Sequence, residues 1–176
     1  MREIILVIGG CRSGKSRYAL NLAAQVPGQN KIFVATCVPG DDEMKQRVDQ
    51  HKKEREPYWK TMEVPVLLPE AIIEKSRKGN VLVIDCLTLW VNNLFMENDD
   101  QEHIEKQVKK LTRSFEQAQC PVILVSNEVG TGIVPENKLA RRFRDVMGYS
   151  NQNIAASADK VIWIVAGIPV TIKGIK

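Results

Sequence analysis

Residues 4–16 have the sequence IILVIGGCRSGKS, in which five apolar residues lead directly into a glycine-rich loop. The loop matches the GxxxxGK[ST] pattern of a P-loop, which lies between a strand and a helix. Glycines let backbone N–H groups turn inward around phosphate oxygens, and a helix that begins at Lys15 directs its positive end at the same phosphates. The pattern therefore predicts a nucleotide phosphate site made of Gly9, Gly10, Cys11, Arg12, Ser13, Gly14, Lys15 and Ser16.

Three side chains in this and a later segment are suited to phosphate and metal chemistry. In a P-loop, Lys15 would contact the β- and γ-phosphates, and the Ser16 hydroxyl would be a ligand of Mg²⁺. Asp85 ends the apolar run at residues 81–84, and an acid at such a strand end holds Mg²⁺ in P-loop proteins. Asp85 could instead be a turn residue or the cap of a helix from Thr88 onward. The metal candidates are thus Ser16 and Asp85.

Short runs rich in valine and isoleucine alternate with segments of helical periodicity along the chain. Continuous apolar runs are typical of strands buried on both faces, so the pattern predicts an α/β fold with a mostly parallel sheet flanked by helices. The tail at 167–172 is expected to turn back as an antiparallel edge strand. The predicted strands are 4–8, 31–35, 81–84, 122–125 and 161–165, and the predicted helices are 16–24, 42–55, 70–77, 103–118, 137–147 and 151–158.

The composition is that of an ordinary globular protein. With 176 residues, 44% of them hydrophobic and 26% charged, we expect a single domain over residues 1–176. The net charge of +4 and the lack of a basic stripe among aromatic residues give no indication of nucleic acid binding. The N-terminal apolar run is too short for a secretion signal or a membrane span, so we expect no membrane span and a cytoplasmic location. No metal-ligand spacing relates the cysteines, which are expected to be free thiols: Cys11, Cys37, Cys86 and Cys120.

One of the two histidines lies in a basic segment. On a helix, Arg47, His51 and Arg55 would line one face. The two guanidinium groups disfavour protonation of the imidazole, and a neutral imidazole can act as a nucleophile. The planar geometry of the guanidinium groups also suits the phosphates of a triphosphate. The alternative is a solvated charged face, which the residues alone favour. His103 follows acidic residues and is expected at the surface.

Two further segments allow more than one interpretation. The polar, glycine-bearing segment 126–135 follows a predicted strand, and ligands of parallel sheets bind at the carboxyl ends of strands, so it is either a substrate loop or an ordinary connection. The segment 90–96 is apolar enough to be core or a subunit contact.

Several segments, taken in order, match one enzyme family. They are the P-loop, residues 35–36 and 41–44, the His51 segment as far as Trp59 and Glu63, Asp85, residues 126–137 and 139–145, and the closing residues 167–168 and 172–173. The chain resembles the bifunctional adenosylcobinamide kinase/adenosylcobinamide-phosphate guanylyltransferases of cobalamin biosynthesis over nearly its whole length. The P-loop is shared by many families, whereas the run from Ser126 to Asp145 is specific to this one.

The resemblance implies a RecA-like P-loop fold, a homotrimer and two reactions. A nucleoside triphosphate, ATP or GTP, phosphorylates adenosylcobinamide, and GTP then donates GMP to adenosylcobinamide phosphate through a guanylylated histidine. His51 matches that histidine, and the resemblance thereby reverses the preference for a solvated face. Gln50 stands where some relatives have a second histidine. The implied GTP contacts are Gly9 to Ser16, Ala35, Thr36, Cys37, Lys52, Lys53, Glu54, Arg55, Glu63 and Asp85.

Two other functions also fit a P-loop chain. One is a simple kinase of a small alcohol, without a covalent intermediate. The other is a non-catalytic switch or assembly module that depends on nucleotide binding.

Overall fold

The computed structural model describes residues 2–27, 30–40, 42, 45, 46, 48 and 57–174. Within these residues, seven strands form one sheet in the order β3-β2-β4-β5-β1-β6-β7. Only β7 is antiparallel, paired with β6 as the tail pattern predicted. The strands are β1 Ile4–Gly9, β2 Asn30–Ala35, β3 Lys60–Glu63, β4 Asn80–Asp85, β5 Val122–Asn127, β6 Lys160–Val165 and β7 Ile168–Lys173.

Five helices flank the sheet in the described part of the chain. They are α1 Lys15–Gln25, α2 Leu68–Lys75, α3 Leu87–Glu97, α4 Gln101–Gln117 and α5 Lys138–Ser157. None of them is long and apolar enough to cross a membrane. The predicted helix 42–55 falls largely outside the described residues.

The sheet has a separate hydrophobic core on each face. Because successive strand residues point to opposite faces, Ile4 and Leu6 pack with α2 to α5, while Ile5 and Val7 pack against α1. All of β1 is buried. The strand that leads into the P-loop is therefore held from both sides.

The sequence pattern predicted α4 accurately. Its buried stripe consists of Ile104, Val108, Leu111 and Phe115, as expected, together with Ser114. The Asp100 carboxylate accepts a hydrogen bond from the backbone N–H of His103 and caps the helix.

Two elements differ from the expectation, and a third agrees with one of its alternatives. The predicted helices 137–147 and 151–158 are one helix, α5, because Val146, Met147 and Ile154 are buried along it; this burial outweighs the cost of about 1 kcal/mol for Gly148. The edge strand β3 has no apolar run and was missed. The segment 90–96 lies in a helix, α3, whose buried residues confirm it as core.

Candidate nucleotide-binding site

The P-loop joins β1 to α1 in a conformation that needs glycine at two positions. A Cβ atom on Gly9 would lie 2.5 Å from the backbone oxygen of Ile164 in β6, so no larger residue fits there. Gly14 has φ +92°, which side-chain-bearing residues rarely adopt. All residues in the first turn of α1 are described, and none of them is acidic. The positive end of this helix is therefore available to a phosphate group.

Lys15 is held inside the curve of the loop. Its side chain is buried, and Nζ donates to the Gly10 carbonyl at 2.5 Å and to Ser13 Oγ at 3.5 Å. Burial lowers the pKa of Lys15, while the nearby Cys86 and Asp85 act in the opposite direction. The amine thus lies against the loop, within the predicted phosphate site of residues 9–16, which is called the phosphate cradle below.

Strand register brings most of the predicted site residues to one edge of the sheet. Ala35 of β2 pairs with Glu63 on one side and with Asp85 on the other. Gly9 pairs with Asn127 of β5, which lies between β4 and β1. Neighbouring strands are about 4.8 Å apart. The P-loop and the carboxyl ends of β2, β3 and β4 therefore lie along the same edge of the sheet, which is called the rim below.

Thr36, which follows β2, is hydrogen-bonded to Cys86, which follows β4. It is fully buried; its Oγ1 donates to the Cys86 carbonyl at 2.7 Å and accepts from the Cys86 N–H at 2.8 Å. Its backbone N–H donates to the Asp85 carbonyl. Thr36 thereby fixes Ala35 and Cys37 beside Asp85, and its own contact with GTP stays a prediction.

Cys37 lies next to the two carboxylates of the rim. Burial raises the pKa of its thiol, and the negative charges of Asp85 and Glu63 raise it further. The thiol is therefore a neutral group between acidic residues. As predicted, the cysteines are free: Cys11, Cys37, Cys86 and Cys120.

Two polar side chains of α3, for which no role was predicted, hold the strand ends in place. The Asn127 N–H donates to Thr88 Oγ1 at 2.9 Å, and Asn93 Nδ2 donates to the carbonyls of Thr36 and Pro65. The sequence signal that could have identified these supporting residues is the presence of polar side chains at positions 88 and 93 within an apolar segment. Cys86 occupies the cap position of α3 with no side-chain cap, so the capping alternative for Asp85 is wrong.

The predicted nucleophile His51 and its neighbours Lys52, Lys53, Glu54 and Arg55 lie outside the described residues. The described chain on their C-terminal side is anchored. Trp59 packs edge-on against Phe33, with ring centroids 6.5 Å apart, and Lys31 lies 5.7 Å from the Tyr58 ring. Lys31 also donates to two carbonyls at the end of α1, those of Ala23 and Ala24.

A cleft of about 370 Å³ lies at the opposite edge of the sheet. It is lined at the amino ends of β1, β4 and β5 by residues such as Arg2, Lys78 and Gln119. None of the predicted site residues lines it, so this cleft is not the predicted nucleotide site.

A P-loop between β1 and α1, at the carboxyl edge of a mostly parallel sheet, defines a P-loop nucleotide-binding protein of RecA-like fold. Two solved structures share this fold. The flagellar accessory protein FlaH from Methanocaldococcus jannaschii has a TM-score of 0.52 and 16% identity, over 97% of this chain and 78% of that one. An ATPase from the type III secretion system of pathogenic bacteria has a TM-score of 0.55 and 9% identity, over 96% of this chain and 56% of that one.

The chain belongs to the cobinamide kinase/cobinamide phosphate guanyltransferase family, whose model matches residues 5–172. The bifunctional adenosylcobalamin biosynthesis protein CobP of Pseudomonas aeruginosa is 40% identical over 99% of this chain and 98% of its own length. CobU of Salmonella typhimurium, a protein with the same description, is 40% identical over 97% of this chain and 99% of its own length. The predicted family and enzyme class, a kinase and guanylyltransferase, are confirmed.

Proposed function

We propose that this chain phosphorylates adenosylcobinamide with a nucleoside triphosphate and then transfers GMP from GTP to the adenosylcobinamide phosphate. The second step passes through a guanylylated His51 and yields adenosylcobinamide-GDP and pyrophosphate. The observation that carries the proposal is the P-loop with its buried Lys15 beside Asp85, in a chain that matches the family over residues 5–172.

One phosphate cradle can serve both reactions. In the guanylyl half, an imidazole nitrogen of His51 attacks the α-phosphorus, pyrophosphate leaves, and an oxygen of the acceptor phosphate then displaces the histidine. Negative charge grows on the departing pyrophosphate, where Lys15 and the P-loop N–H groups can stabilise it. In the kinase half, the same groups hold the γ-phosphoryl group while the acceptor hydroxyl attacks.

The donor set at the rim fits Mg²⁺. The Ser16 hydroxyl and the Asp85 carboxylate are both hard oxygen ligands, and Mg²⁺ typically takes one or two protein oxygens together with phosphates and water. Within the described part of the chain, no group of three or more His, Cys, Asp or Glu residues could form an all-protein metal cage. We propose that Ser16 and Asp85 hold Mg²⁺, which neutralises phosphate charge when bound.

We further propose GTP contacts at Ala35, Thr36, Cys37 and Glu63, whose place on the P-loop rim supports the assignment. For Lys52 to Arg55 the support is the family resemblance. Either ATP or GTP is proposed as the phosphoryl donor. A cytoplasmic location is also proposed, and it is supported by the description of the bacterial relatives as biosynthesis proteins.

The proposed function is tested with α-labelled GTP and with adenosylcobinamide supplied separately. We expect a protein-bound label that is stable in alkali and lost in acid, and conversion of adenosylcobinamide to its phosphate and then to the GDP derivative. A simple kinase would give the phosphate but no labelled protein. A nucleotide-dependent switch would give slow hydrolysis and no transfer, and either result would contradict the proposal.

The proposed homotrimer is supported by an apolar face on the β6–β7 hairpin. Strand pairing places Trp163 opposite Val170 and Val165 opposite Ile168, so the four side chains share one face. They are 40%, 43%, 42% and 65% exposed, respectively. Contiguous exposed apolar surface of this kind commonly marks a protein–protein contact. The turn of the hairpin approaches the P-loop, with Gly167 Cα 3.8 Å from a Cβ built on Gly14.

Introducing charge on this hairpin face should dissociate the assembly. We expect light scattering to give wild type three times the 19.8 kDa chain mass and Val170→Glu the mass of one chain. Met96→Glu, a matched change at a 76% exposed position on α3, should keep the wild-type mass. If Val170→Glu has the same mass as wild type, this face is not the subunit interface.

A further inference from the structure

Glu128 is fixed beside the start of the P-loop. It directly follows β5, which is the neighbour of β1. Its backbone N–H donates to the Gly9 carbonyl at 2.9 Å, and the preceding Asn127 is in register with Gly9 and tied to Thr88 of α3. The pairing of β5 with β1 and the hydrogen bond to Thr88 therefore hold the backbone at Glu128 next to the start of the P-loop.

The Glu128 carboxylate is oriented by its own loop. Oε1 accepts a hydrogen bond from the Gly130 N–H at 2.8 Å, and the side chain is half-buried. Among the described residues, no basic side chain forms an ion pair with it. A carboxylate held in this way keeps an oxygen that can accept a further proton or hydrogen bond.

Glu128 also follows the strand that is the direct neighbour of the P-loop strand β1. With strands about 4.8 Å apart, Glu63 on β3 lies about 19 Å from β1 across the sheet and Asp85 on β4 about 10 Å, whereas Glu128 is one strand away, at about 5 Å. Asp85 is already proposed as a ligand of Mg²⁺. An acceptor hydroxyl in line with the γ-phosphate has to lie beside the phosphate site, and the backbone of Glu128 is fixed next to the start of that site.

We propose that Glu128 is the catalytic base of the kinase half-reaction; this inference rests on the proposed function. The acceptor hydroxyl gives its proton to the Glu128 carboxylate as its oxygen bonds to the γ-phosphorus. The bond from the γ-phosphorus to the β-phosphate oxygen breaks, and a nucleoside diphosphate leaves. Glu128 afterwards releases the proton to water.

The guanylyl half-reaction does not need this base. Its first nucleophile is a neutral imidazole nitrogen, and its second is the oxygen of a phosphate that is already ionised. Neither has a hydroxyl proton to remove. Loss of the Glu128 carboxylate should therefore separate the two activities of the chain.

Glu128→Gln is the decisive variant, because its amide oxygen can still accept from the Gly130 N–H. We expect its kinase rate with adenosylcobinamide to fall on the order of 100-fold or more, as for loss of a general base. Formation of the enzyme–GMP adduct, and GMP transfer to separately supplied adenosylcobinamide phosphate, should stay within about threefold of wild type, far from the 100-fold scale of a lost general base. Glu128→Asp should recover part of the kinase rate.

Glu116→Gln, an exposed change on α4, is the matched control and should leave all three rates unchanged. A near-normal kinase rate in Glu128→Gln would overturn the inference. An equal loss of adduct formation would overturn it as well, since Glu128 would then serve nucleotide or metal binding in general. A wild-type protein without kinase activity would instead refute the proposed function itself.

Discussion

Replacing Lys15 with alanine should lower the kinase and guanylyltransferase rates together, each on the order of 100-fold or more. The reason is that one cradle is proposed to hold the γ-phosphoryl group in one reaction and the departing pyrophosphate in the other. Lys15 is buried against the loop and already in place before charge develops, which makes its contribution large. Both rates are measured with purified protein at saturating acceptor.

Two further variants control this experiment. Lys15→Met keeps a long side chain without the charge and should behave like Lys15→Ala, provided that thermal unfolding shows both to be folded. Lys78→Ala removes an exposed lysine at the opposite edge of the sheet and should change neither rate. Near-normal rates in both Lys15 variants would show that the P-loop does not form the reacting site.

The strands were predictable from sequence because burial on both faces leaves a local signal. Continuous apolar runs located β1, β2, β4, β5 and β6 to within one or two residues. The edge strand β3 is buried on neither face, since within it only Met62 is half-buried, and its pairing with β2 comes from long-range register. A four-residue strand with three exposed polar residues and a single methionine has no pattern that distinguishes it from a loop.

The candidate site was predictable to the extent that it follows from a local motif. The P-loop and the strand-end Asp85 could be identified within a few residues of chain. The hydrogen bond from Thr36 to Cys86 joins positions 50 residues apart, and the contact between Glu128 and Gly9 spans even more. Such contacts arise from the order of strands in the sheet, which no short window of sequence contains.

Replacing His51 with alanine should abolish the enzyme–GMP adduct and the guanylyl transfer that depends on it. A methyl group offers no lone pair to attack the α-phosphorus, so the covalent route is closed. The kinase reaction should persist, because direct phosphoryl transfer to a hydroxyl requires positioning and charge neutralisation, with no covalent histidine. The measurement is protein-bound label after incubation with α-labelled GTP, beside formation of adenosylcobinamide phosphate in the same preparation.

The chemistry of the label identifies the residue type, and its position identifies the residue. A phosphoramidate is stable in alkali and lost in acid, whereas a phosphate ester on serine would survive acid. His103→Ala removes the other histidine of the chain, which lies half-buried on α4 beside the Asp100 cap, and should leave both activities intact. The covalent mechanism through His51 would be wrong if the label persisted in His51→Ala or mapped by peptide sequencing to another residue. The P-loop fold would still stand, because it rests on the sheet and on the loop from Gly9 to Ser16.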